Sequence, residues 1–186
     1  MAISSTFVTG QVFTAADANL MANAGLVYVA STTFSGSTGV EMSNCFSSTY
    51  DNYEIHTTVY GSATTNTSFQ LMTGTNTKDT SATYNRVGWY WTTAFTNFNA
   101  TGQTVWFNAN HGTTASSYSN SQMTIYRPNV SGVKTESRLR SYSGDSNLTV
   151  NIDQYTDATT AYTGIYFLPT SGNITGTITI FGYRKP

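Results

Sequence analysis

The sequence predicts an all-β fold: an antiparallel β-sandwich, jelly-roll-like, with one short N-terminal helix. Three observations lead there. Thr, Ser and Asn make up about two-fifths of the 186 residues, while charged residues make up only 9%. Thr suits a half-buried pleated surface, and Asn, Ser and Gly suit turns. Good helix formers are scarce, with three Glu and three Lys in the chain. From Leu26 onward, apolar residues recur at a period of two between clusters of turn residues. An immunoglobulin-like sandwich is the second choice, since its Cys…Trp…Cys hallmark is missing. The length predicts one sandwich domain, residues 26–186, preceded by a docking segment, residues 1–25.

The helix is expected over about residues 15–24. Thr14 is a good N-cap in Thr14-Ala-Ala-Asp17, and Asp17 falls in the first turn, near the positive helix end. Ala15, Ala16, Ala18, Leu20, Met21, Ala22 and Ala24 favour helix, and Gly25 suits its stop. So short a helix is marginal in isolation and must dock on something. Phe7, Val8, Val12, Phe13, Leu20 and Met21 are too many apolar residues to leave in water and too few for a separate core. Residues 1–25 are therefore expected to dock on the sandwich, a neighbouring subunit or another protein. Phe7, Val12, Phe13, Leu20 and Met21 are the contact candidates.

Strands are expected at 26–34, 53–60, 68–73, 84–92, 104–110, 122–126, 135–142, 148–155, 161–168 and 174–183. Tyr53, Ile55, Thr57 and Val59 share a face, as do Leu148, Val150 and Ile152. Ile174, Ile178 and Ile180 do likewise, provided Gly176 packs closely inside. Turns are read at Gly36-Ser-Thr-Gly39 (as a hairpin), Gly61-Ser62, Gly74–Asn76, Asn99–Gly102, Gly144-Asp145 and Ser171–Asn173. The flank Met42–Phe46 reads as strand, with Cys45 as a small buried hydrophobe.

The inventory of reactive groups is thin. A net charge of -1 argues against nucleic acid, and no basic run suits an anionic membrane surface. No stretch approaches the ~20 apolar residues of a spanning helix, and no secretory signal is read at residues 1–4. One cysteine excludes an internal disulfide and a Cys-based zinc site. His56 is expected on the solvent face of its strand, opposite Ile55, and His111 in a turn. Neither has the spacing of a metal pair. No Gly-x-Ser-x-Gly elbow or phosphate-cradling loop occurs. Asp153 and Asp157 are the nearest pair of acids. With Asn151 they suggest a weak Ca²⁺ site, against the simpler reading of a loop with Asx-turns. Glu136, beside Lys134 and Arg138, reads as a surface ion pair. The expectation is no catalysis, no cofactor and no metal.

Trp89-Tyr90-Trp91 is the most informative run. In a strand, Trp89 and Trp91 share one face and Tyr90 takes the other. Three readings stay open for these residues: core, subunit interface, or a platform that stacks on a sugar ring. An Asn97–Asn99 loop would supply amides beside Trp91.

The segment Phe7–Asn19, with its Thr14-Ala-Ala-Asp17, is similar to one near the N-terminus of many tailed-bacteriophage structural proteins. Ser48–Ile55 and Asn173–Lys185 resemble later segments of the same group, in the same order. The resemblance implies a virion protein made in the host bacterial cytoplasm, either a head decoration or cement protein or a small tail or fibre protein. It implies a β-sandwich that forms homotrimers and binds other virion proteins, and no catalytic residues. A receptor-binding tip holding a host surface glycan through exposed aromatics is the alternative.

Overall fold

A computed structural model describes residues 25–63, 65–115, 117–144 and 147–184. The expected helix, and with it Phe7, Val12, Phe13, Leu20 and Met21, lies outside the described residues. In chain order the strands are β1 (Leu26–Ser37), β2 (Val40–Met42), β3 (Tyr50–Gly61), β4 (Thr65–Gly74), β5 (Thr77–Lys78), β6 (Tyr84–Trp91) and β7 (Phe95–Gln103). These are followed by β8 (Trp106–His111), β9 (Ser119–Tyr126), β10 (Glu136–Ser143), β11 (Leu148–Thr156), β12 (Gly164–Pro169) and β13 (Ile174–Arg184).

All pairings are antiparallel. One sheet has eight strands in the order β1-β13-β3-β9-β10-β11-β6-β7. The other runs β2-β12-β4-β5, and β8 also pairs with β4. Strands β1 and β3 flank β13, while β2 and β4 flank β12. Early strands thus wrap back onto late ones, as in a jelly roll. The fold is the expected antiparallel sandwich.

Period-two alternation decides what each strand buries. Strand β13 turns Ile174, Ile178 and Ile180 inward, and β12 answers with Ile165 and Phe167. Gly176 shares the inner face of β13, where a Cβ would meet the Thr58 carbonyl oxygen at 2.1 Å. The expected close packing there is observed. Strands β10 and β11 alternate along their full length, with Ser137, Leu139, Ser141, Val150, Ile152 and Gln154 inside.

Several local expectations are corrected. Gly36–Gly39 is not a hairpin, because β1 and β2 belong to different sheets and the segment is a crossing between them. Gly39 lies against Tyr166, whose ring a Cβ would overlap. Met42–Phe46 is not a strand either. Pairing ends at Met42, and the chain turns through Asn44 at φ 55°, which buries Cys45. His111 ends β8, opposite Thr65, instead of sitting in a turn. Strand β7 replaces the turn expected at Asn99–Gly102 and the loop expected at Asn97–Asn99. Its Asn-rich composition hides an alternation that only pairing with β6 reveals.

Candidate functional site

The strand pair β6–β7 forms one margin of the eight-stranded sheet. Its register places Trp89 opposite Asn97, Trp91 opposite Phe95, and Val87 opposite Asn99. These residues share the outer face. Val87, Trp91 and Phe95 are more than half exposed. Trp89 is half-buried and stacks on Phe95, with ring centroids 5.4 Å apart. The patch is therefore a continuous aromatic surface with Asn97 and Asn99 beside it. The two amides come from strand β7, not from a loop.

Tyr90 separates from its neighbours, as alternation requires. It points inward and packs on the Phe98 ring at 6.1 Å. Of the three aromatic candidates, Trp89 and Trp91 are available on the outer surface, and Tyr90 joins the interior. The core reading thus fails for the two tryptophans and fits the tyrosine.

Next to Trp89, on the same outer face, Val87, Arg138, Asn151 and Asp153 line a depression of about 330 Å³. Arg138 Nε donates to Asp153 Oδ1 at 2.8 Å across the β10–β11 register pair. That exposed ion pair contributes little stability, but it fixes two polar side chains beside an indole.

Asp153 and Asp157 do not act together. Asp157 accepts from Lys134 Nζ at 2.5 Å and from Asn85 Nδ2 at 2.8 Å. The Lys134 hydrogen bond is the chief reason its carboxyl is held below the usual range. Among the described residues, no three His, Cys, Asp or Glu side chains are grouped so as to hold a metal ion. Glu136 is indeed at the surface, but its ion pair is with Arg127 at 3.9 Å, not with Lys134 or Arg138. Cys45 is buried, and desolvation pushes its thiol up to about 12.

One cluster escaped the sequence reading. Glu54 lies on the outer face of β3 yet is only 6% exposed. Its carboxylate accepts from Tyr183 Oη and His56 Nε2, each at 2.5 Å, and from Gln122 Nε2 at 2.8 Å. Burial pushes this carboxyl up, but the three hydrogen bonds outweigh it and leave it below the usual range. The Glu54 contact, with burial, pushes Tyr183 up to about 12. His56 faces solvent as expected, its side chain half exposed. The available signal was the i, i+2 spacing of Glu54 and His56. The partners Gln122 and Tyr183 come from distant strands.

No protein-family model matches the chain, and neither does any curated protein. Solved structures with some likeness include a single-substitution variant of congerin II at 8% identity and TM-score 0.33. The match covers 76% of this chain and 98% of that one. The galectin LEC-6 of Caenorhabditis elegans is 8% identical with TM-score 0.32, over 84% and 99% of the two chains. A PL-14 alginate lyase from Aplysia kurodai is 8% identical with TM-score 0.30, over 74% and 72%. At these TM-scores the likenesses carry no functional argument.

Proposed function

We propose that this chain is a non-catalytic structural protein of a tailed-bacteriophage particle, a head decoration or a small tail or fibre component, that binds other virion subunits. The observation that carries the reading is the uncovered aromatic face of β6–β7. Val87, Trp91 and Phe95 lie beside half-buried Trp89 on a surface that no element of the described chain covers. Apolar patches with a polar rim mark contact sites. The phage assignment rests on the sequence resemblance. Two of its segments are neighbours in space: Asn52–Ile55 of β3 pairs with Ile180–Tyr183 of β13.

In this reading residues 1–25 dock the sandwich onto the particle through Phe7, Val12, Phe13, Leu20 and Met21. The sandwiches associate as homotrimers, and the protein is made in the bacterial cytoplasm and carried on the virion. The test is mass spectrometry and electron microscopy of purified particles. The protein is expected there in fixed copy number, and chains lacking residues 1–25 are expected to fold but fail to join. Absence from the particle overturns the reading.

The depression beside Trp89 favours a second reading, a receptor tip. An indole flanked by Asn151 and the Arg138–Asp153 pair offers stacking and hydrogen bonds to a host surface glycan. Binding to host cells that is lost in Trp89→Ala but retained in Tyr142→Ser would select it.

A further inference from the structure

A second recess, a cavity open to solvent, lies on the opposite face of β6, between the sheets. It measures about 390 Å³, and its walls include Tyr90, Phe98, Phe107 and Val150. This is the small end of the range for small-molecule sites. Arg86 enters it from β6. The guanidinium lies 5.7 Å from the centre of the Phe107 ring. Its Nε is buried and has no hydrogen-bond partner, and no carboxylate lines the cavity.

The polar neighbour that could have served Arg86 is already occupied. Gln154 stands directly opposite it on β11. Gln154 Oε1 accepts from the Phe107 backbone N–H at 2.8 Å, and Gln154 Nε2 donates to the Phe107 carbonyl at 3.1 Å. The amide thus ties β8 to β11 and leaves Arg86 without it. Arginine stays charged in proteins, and a half-buried guanidinium whose Nε has no partner is incompletely compensated. Burial disfavours the charged form of this group. The arrangement leaves one face of the guanidinium open to an anion from outside.

We propose that this cavity binds one small ring-bearing carboxylate, with Arg86 holding the carboxylate and Tyr90, Phe98 and Phe107 packing against the ring. A planar guanidinium matches a carboxylate in two-point geometry. A single cation among aromatic walls suits a monoanion whose body presents a ring face, either an aromatic plane or the C–H face of a sugar, not a multiply charged phosphate. Asn66 and Thr92 at the cavity provide further hydrogen-bonding groups. The same chemistry has two sources, the uronate ring of an acidic sugar and an aromatic acid.

The test is titration of the full chain, followed by heteronuclear NMR, with glucuronate and with benzoate in separate arms. Glucose and inorganic phosphate are the controls. Saturable binding is expected for at least one carboxylate, with shifts at the Arg86 side chain and the Phe98 and Phe107 rings. Arg86→Gln is expected to weaken it by about tenfold or more, the loss of a charged hydrogen-bonded contact. Phe98→Ala is expected to weaken it without touching the charge. Binding of glucuronate alone supports the proposal with an acidic sugar as the source, and binding of benzoate supports it with an aromatic acid. Three results overturn it: no saturable binding in either arm, phosphate binding as well as the carboxylates, or unchanged binding in folded Arg86→Gln.

Discussion

The two halves of the sandwich interior are built differently. Between β1, β13 and β3 on one side and β2, β12 and β4 on the other, the filling is hydrocarbon. Phe34, Val40, Ile55, Val59, Phe69, Leu71, Ile165, Phe167, Ile178 and Ile180 are all buried there. Phe167 sits between Phe34 and Phe69, at centroid distances of 6.1 and 4.9 Å. Where β8 crosses β9, β10 and β11, a buried polar network shares the interior with Met123, Leu139 and Ile152. Asn108 Nδ2 donates to Thr67 at 3.1 Å and Thr57 at 3.3 Å, while Asn108 Oδ1 accepts from Ser121 at 2.6 Å. Gln154 clasps the Phe107 backbone nearby.

The difference teaches how a Ser- and Thr-rich chain closes a sandwich. Hydrocarbon burial is non-directional and holds two sheets together without fixing their offset. Buried amides and hydroxyls bond only in one alignment, and each unmade bond is expensive. The apolar half supplies most of the cohesion, and the polar half sets where β8 lies. The position of β8 in turn sets the Arg86 cavity, because Phe107 is one of its walls.

Mutations can break or sharpen this contrast. Phe167→Ala is expected to have the largest effect, a loss of about 3–5 kcal/mol in urea unfolding, from lost transfer energy and the cavity left behind. Asn108→Leu is similar in size but removes the bonds to Thr57, Thr67 and Ser121. It is expected to cost about 1–3 kcal/mol and to shift NMR signals of β8 more than Phe167→Ala does. Equal costs for the two would erase the distinction between cohesion and alignment.

A smaller effect is expected from the outer-face cluster, which belongs to neither half. The Glu54 carboxyl is held low in the folded protein, so the stability it contributes is fully present above its unfolded value. That stability is lost as pH falls through the folded value. The stability gap between wild type and Glu54→Gln should therefore narrow on acidification through the carboxylate range. A gap independent of pH would show that the cluster acts through packing alone.

Cys45 reports on the apolar half without changing it. With its thiol pushed up to about 12, no labelling by a disulfide reagent is expected at pH 8 until the chain unfolds. The smallest stability effect is expected for Trp91→Ser, within about 0.5 kcal/mol, since the side chain is exposed. On the proposed function, the same change should weaken attachment to the particle.

Much of this architecture was legible in the chain. The alternation of Tyr53–Val59, Leu148–Ile152 and Ile174–Ile180 named three central strands and their buried faces, because a pleated strand has no other period. The separation of Tyr90 from Trp89 and Trp91 followed from the same rule. Which of those two faces meets the core did not follow. Tyr and Trp suit either side of a sheet, and the choice depends on what the other sheet brings opposite. Strand β7 was missed because Asn97 and Asn99 are poor strand formers until β6 pairs with them. The role of Gly36–Gly39 was missed because a hairpin and a crossing between sheets have the same local turn signals. Sequence by itself determined the alternating strands and the burial of Cys45, both properties of local pattern and composition. Tertiary structure alone decided sheet membership, the pairing of Gln154 with Phe107 and the unpartnered Nε of Arg86. Each of these joins residues far apart in the chain, and no local preference encodes which distant strand will be the neighbour.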